Sequence, residues 1–154
     1  MTLNEIENGI LRSNRASAAT LFLRPFRGND KRLKFIVSEA DARIHFALNC
    51  GAKSCPPLRP YTSENVQNEL EVATKHYLGT DEGVVVDESN REVRLSKLME
   101  WYKVDFGDTN KQVLQWVSNH LEEGSTKKQK LQYLWANGDP KISHLDYNWD
   151  HNGV

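Results

Sequence analysis

The sequence predicts an α+β fold: a small mixed sheet of about four to five strands with about four to five helices, in one domain spanning residues 1–154. Three observations lead there. Several segments carry apolar residues at helical intervals, and others alternate with a period of two. The two kinds also occur in mixed order, without the strict strand–helix–strand alternation of a doubly wound sheet. A chain of 154 residues is long enough to bury one ordinary core, and no internal repeat, low-complexity tract or long linker divides it.

Taken in order, Thr2 is placed to cap a first helix carrying Leu3, Ile6, Ile10 and Leu11 on one face. A basic stretch follows, with Arg12, Arg15, Arg24, Arg27, Lys31, Arg32 and Lys34 against the single acid Asp30. It lacks interleaved aromatics and a Gly-rich phosphate cradle, so it reads as a solvated loop rather than a phosphate site. Gly28-Asn29-Asp30 signals a turn, and Leu33, Phe35 and Val37 then alternate as a strand. In the next strand, residues 43–49, Ile44, Phe46 and Leu48 share one side, with His45, Ala47 and Asn49 on the other. Gly51 permits a sharp bend and Pro56-Pro57 holds the exit extended, which confines Cys50 and Cys55 to a constrained loop.

Beyond the prolines, Thr62 or Ser63 caps the clearest helix, with Val66, Leu70, Ala73 and Tyr77 in register up to Gly79. Val84–Asp87 and Arg91–Leu95 flank Glu88-Ser89-Asn90 as a hairpin. Ser96 caps a short helix through Leu98, Trp101 and Tyr102, broken at Asp105–Asp108, and a further helix begins near Asn110 and ends before Gly124. Trp101 and Trp116 read as core. Ser125 caps the last helix, which Asn137-Gly138 and Pro140 stop. Residues 144–149 alternate again as a closing strand, with Leu145, Tyr147 and Trp149 on one side and His144, Asp146 and Asn148 on the other. That strand is expected in the same sheet as the strand through His45, its polar face toward the histidine.

Composition narrows the function classes. A net charge of -1 supplies no global field toward nucleic acid or an anionic membrane, so any nucleic-acid binding is expected to be weak and local. The apolar run Ala18–Leu23 is far short of the roughly 20 residues that a membrane helix needs. Met1–Glu5 has neither the basic start nor the apolar stretch of a secretion signal, and with two cysteines the expectation is a cytoplasmic chain with reduced thiols. No nucleotide-binding loop, dinucleotide fingerprint, HExxH pair or nucleophile elbow is present, so no metal or cofactor is expected.

The segments Ile6–Arg12, Arg43–Gly51, Ser54-Cys55-Pro56, Leu98–Gly107 with its Trp-Tyr and Asp-Phe-Gly, and Leu145–Trp149 together resemble the Domain of Unknown Function 547 family. The resemblance covers nearly the whole chain and implies a module used in several settings, with no established reaction. Members of the family begin further upstream, with an aromatic and Asn-rich helix that has no counterpart before Thr2, which implies either a fragment or a shortened relative. Some relatives lack one or both thiols matching Cys50 and Cys55.

The candidate catalytic set is His45, Cys50, Cys55 and Asp146. A cysteine would serve as nucleophile with His45 as base and Asp146 or Asn148 as orienter, because an adjacent imidazole lowers a thiol pKa and shuttles protons. Arg43, Asn49, Arg59, His144 and Asn148 form the candidate binding set. A zinc site of His45, Cys50, Cys55 and His144 and a redox pairing of Cys50 with Cys55 are further alternatives, although the spacing matches neither paired zinc ligands nor C-x-x-C. The reading ranked first is a soluble protein-interaction module. In it both thiols are buried small hydrophobes, His45 is hydrogen-bonded, and the partner is another protein. A thiol-dependent enzyme ranks second and a thiol redox function third.

Overall fold

A computed structural model describes residues 1–16 and 23–153. The apolar run Ala18–Leu23 lies, apart from Leu23, outside the described residues. Among the described residues the class is α+β, with a three-stranded sheet rather than one of four or five strands.

The chain enters through a π-helix, Glu5–Leu11. The Thr2 hydroxyl accepts from the Glu5 N–H at 3.2 Å, as the capping signal suggested. The wide turn shows in Arg12 N–H donating to Glu7 O at 3.1 Å and Asn14 N–H to Gly9 O at 2.8 Å. Gly9 is needed there because a Cβ would stand 2.3 Å from the Phe26 ring. Asn14 holds Phe26 in place, accepting from its N–H at 2.8 Å and donating to its carbonyl at 3.0 Å.

The two segments read as strands at 33–37 and 43–49 are 3-10 turns, Lys31–Phe35 and Ala42–Phe46. Both have the same local cause. Asp30 accepts from the N–H and guanidinium of Arg32, and Asp41 does the same with Arg43, so each turn is capped by a side chain two residues upstream. Over five residues, that local bonding outweighs an alternating pattern. Ile44, His45 and Phe46 are in consequence all buried, where a strand would have sent His45 to the opposite side.

Helix α1, Val66–Gly79, buries Leu70, Ala73, Tyr77 and Leu78. Its N-cap is Asn65 rather than Thr62 or Ser63, and Thr62 instead bonds the Glu69 carboxylate from both its N–H and its hydroxyl. Strands β1, Val84–Asp87, and β2, Glu92–Leu95, form the expected hairpin, paired antiparallel with Val84 opposite Leu95. Ser96 caps α2, Lys97–Trp101, by accepting from Leu98 N–H, and α3, Lys103–Phe106, follows directly. Thr109 and Gln112 form a capping box on α4, Asn110–His120, and Ser125 caps α5, Thr126–Ala136.

Strand β3, Lys141–His144, pairs parallel to β2 with Val93 opposite Ile142, leaving β2 in the middle of the sheet. The closing strand is therefore shorter and earlier than residues 144–149. It cannot share a sheet with a strand through His45, because His45 lies in a 3-10 turn. Leu145 N–H still reaches Leu95 O at 2.8 Å, after which the chain leaves the sheet and runs over the cysteine loop.

The core lies between the sheet and helices α1, α4 and α5, with Leu78, Val84, Val93, Val117 and Leu131 fully enclosed. Phe46 and Phe106 join it beside Trp116, which meets Phe106 edge-on at 4.9 Å. No described helix is long and apolar enough to cross a membrane.

Candidate functional site

A cavity of about 820 Å³ opens between the π-helix, the turn carrying His45, the cysteine loop, α2 and the C-terminal segment. Its lining is mainly apolar and aromatic, from Leu3, Ile6, Leu11, Leu48, Leu98, Trp101, Tyr102, Tyr147 and Trp149, with His45, Asn49, Cys50, Cys55 and Glu7 among the polar groups.

The cysteine loop is held from several sides. Gly51 takes φ +85, a left-handed turn that suits glycine, and its N–H donates to Asn49 Oδ1 at 2.7 Å while Asn49 Nδ2 donates to Pro56 O at 2.7 Å. Below the loop, Tyr77 Oη donates to Ser54 O at 2.9 Å, and the Ser54 hydroxyl donates to Glu82 at 2.7 Å. The C-terminal segment is tied on by Ser54 N–H to Asn148 O, Asn148 N–H to Ser54 Oγ, Lys53 N–H to Asp150 O and Asn152 N–H to Gly51 O.

This scaffold sets the Cys50 and Cys55 sulfurs 2.6 Å apart, both free thiols, with Cys50 exposed and Cys55 buried. Cys50 N–H points at Cys55 Sγ at 3.1 Å, and the Tyr147 hydroxyl stands 3.1 Å from Cys55 Sγ and 3.4 Å from Cys50 Sγ. Burial pushes the Cys55 thiol up, but hydrogen bonds from Cys50, Tyr147 and the backbone outweigh it, so its pKa falls below the ordinary thiol value. Tyr147 is shifted the other way, by burial and then by the two sulfurs, and so stays a hydrogen-bond donor.

His45 lines the same cavity but is bonded elsewhere. Its Nε2 donates to Asp105 Oδ2 at 2.8 Å, and its ring stacks on Tyr102 with centroids 4.0 Å apart. Asp105 also takes Arg12 Nε at 2.5 Å and Arg15 at 3.2 Å. Burial raises the Asp105 pKa, while the bonds from His45 and Arg12 lower it to about 2. Tyr102 Oη donates to Glu7 at 2.6 Å, and Arg12 donates to Asn8 at 2.6 Å. This buried polar cluster fastens the π-helix to α3. Among the described residues no hydrogen bond joins His45 to either sulfur.

The structure thus brings together His45, Asn49, Cys50 and Cys55 of the expected set. Asp146 is exposed and does not line the cavity. Arg43 pairs with Asp41 and with Gln67 of α1, His144 lies 3.9 Å from Glu100, and Asn148 serves as a backbone anchor for Ser54. Arg59 is half-buried outside the cavity lining. Among the described residues no cluster of three or more His, Cys, Asp or Glu could hold a metal, and His144 does not line the cavity with the thiols.

Three residues with a direct part in the site, Asp105, Tyr147 and Trp149, were not singled out from sequence. Asp105, in the Asp-Phe-Gly stretch, takes the place by His45 expected of Asp146. Tyr147 and Trp149 turn the aromatic side of the closing segment toward the cavity, where its polar side was expected; Trp101, expected in the core, stands with them at ring centroid distances of 4.9 and 5.6 Å.

Fold and site together define an α+β protein with a thiol pair at an apolar cavity. Residues 1–78 match the family model described as "Protein of unknown function, DUF547", and the chain belongs to that family. No curated protein and no solved structure matches it.

Proposed function

We propose that the cavity is a thiol–disulfide exchange site, with Cys50 and Cys55 as its dithiol and a partner protein as its substrate. The observation that carries this reading is the pair of free sulfurs 2.6 Å apart, with one hydroxyl, that of Tyr147, against both. The apolar lining favours a partner that presents apolar side chains beside its own cysteine.

Cys50, the exposed sulfur, attacks a partner disulfide. The partner S–S bond breaks, one partner thiol departs with the proton that Cys50 gives up, and a mixed disulfide remains. Cys55, whose donors lower its pKa below the ordinary thiol value, then attacks Cys50 Sγ. The second partner thiol leaves with the Cys55 proton, the partner disulfide has been reduced by two electrons, and Cys50–Cys55 has been oxidised to a disulfide. The same steps in reverse oxidise a partner dithiol.

A Cys/His hydrolase or transferase is the weaker alternative, because Asp105 holds His45 and, among the described residues, no hydrogen bond links it to a thiol. The test is equilibration of the purified chain across a series of oxidised to reduced dithiothreitol ratios, read by intact mass and acid-quenched alkylation. Reversible loss of two hydrogen atoms is expected, together with a trapped mixed disulfide on Cys50 in Cys55→Ser. Two thiols that never couple in the folded chain would overturn the reading. Selective alkylation of one thiol that disappears in a folded His45→Ala variant would put the Cys/His enzyme in its place.

A further inference from the structure

We infer, on the basis of the dithiol reading, that the cavity selects disulfides whose flanking groups are neutral or cationic and apolar, and discriminates against disulfides that carry carboxylates. Among the described residues that line it there is no lysine or arginine. The one carboxylate among the described lining residues is Glu7, which already accepts the Tyr102 hydroxyl at 2.6 Å.

Basic residues beside the lining in sequence are committed elsewhere: Lys97 pairs with Glu100, and Lys103 donates to Asn110. Arg12 is bound to Asp105 and Asn8, Arg43 to Asp41 and Gln67, and Lys53 pairs with Asp150. A carboxylate entering beside the sulfurs would therefore lose hydration against Trp101, Tyr147 and Leu48 with no cation to replace it. Its charge would also face Glu7. A neutral aryl or aliphatic flank instead gains apolar contact, and a cationic flank can meet Glu7 and the faces of Tyr147 and Trp149. Small peptide disulfides with free carboxylates fall in the disfavoured class. A polypeptide cysteine between bulky apolar residues, or next to a lysine or arginine, falls in the favoured one.

The test uses the reduced full chain with two aromatic disulfides of similar size, neutral dithiodipyridine and dianionic dithiobis(nitrobenzoate). Rates are followed by the released thiol's absorbance, and products by intact mass. Each rate is divided by that of the same chain unfolded in urea, which removes intrinsic reagent reactivity. The normalised preference for the neutral reagent is expected to be at least about tenfold, the scale set by burying an uncompensated charged group. Leu48→Lys, at a partly exposed position in the lining, is expected to narrow it by accelerating the dianion selectively. Equal normalised rates, with both reagents converting Cys50 and Cys55 to an internal disulfide, would overturn the charge selectivity and leave the dithiol reading standing. Mixed disulfides that accumulate with neither reagent yielding an internal disulfide would overturn both.

Discussion

Asp105→Asn tests the buried polar cluster that joins the N-terminal π-helix to the body. The carboxylate is 1% exposed and bonds Arg12, whose side chain is 0% exposed, as well as His45. Its pKa is lowered from 3.8 to about 2, which through linkage corresponds to about 2 kcal/mol of stability carried by the ionised form. Removing the charge also breaks the buried Arg12–Asp105 ion pair, and breaking such a pair costs about 3–5 kcal/mol. The expected loss at pH 7 is thus about 2–5 kcal/mol, read from urea unfolding by tryptophan fluorescence. A depressed carboxylate pKa contributes stability that is complete above the unfolded value of 3.8 and is lost as pH falls through about 2. The gap between wild type and Asp105→Asn should therefore shrink steadily as pH falls from about 4 toward 2. Adding Arg12→Met to Asp105→Asn should recover much of the loss, because both members of the buried ion pair are then replaced together. A loss under about 1 kcal/mol at pH 7, or a gap that does not narrow in acid, would refute the reasoning.

Two further outcomes follow from the geometry. Tyr147→Phe keeps the ring that packs on Trp101 and Trp149 but removes the hydroxyl 3.1 Å from Cys55 Sγ. The Cys55 thiol pKa should rise, and its iodoacetamide labelling at pH 7 should slow by about tenfold, the worth of one hydrogen bond to a charged group; a pH–rate profile identical to wild type would show that the hydroxyl is not a thiolate donor. Gly9→Ala places a Cβ 2.3 Å from the Phe26 ring and should cost about 1–3 kcal/mol in urea unfolding, whereas an unchanged midpoint would mean that the ring shifts freely.

How much of the site was legible depends on the distance along the chain between its parts. The thiol loop was, because Gly51, Cys50, Cys55 and Pro56 lie within a few residues and their backbone preferences act locally. Asp105 was not, since it stands 60 residues from His45, nor was Tyr147, which is 97 residues from Cys50. Only the signal that an aspartate sat in an interrupted helix, or that an aromatic alternated in the closing segment, was available, and neither names its neighbour.

What the sequence determined by itself is the set of elements whose causes are local and repeated. These are the helical stripe through Leu70, Ala73 and Tyr77, the hairpin around Glu88-Ser89-Asn90, and the caps at Ser96 and Ser125. In each, propensity, periodicity and capping point the same way. The short turns at Lys31–Phe35 and Ala42–Phe46 escaped because two or three alternating apolar residues carry less weight than an aspartate bonded to the residue two positions on. Tertiary structure alone decided which side of the C-terminal segment meets the thiols. Packing the half-buried Tyr147 against Trp101, with the more exposed Trp149 beside them, brings an aromatic face to the cavity and leaves Asp146 in solvent, since apolar ring area gains by leaving water and an unpaired carboxylate loses.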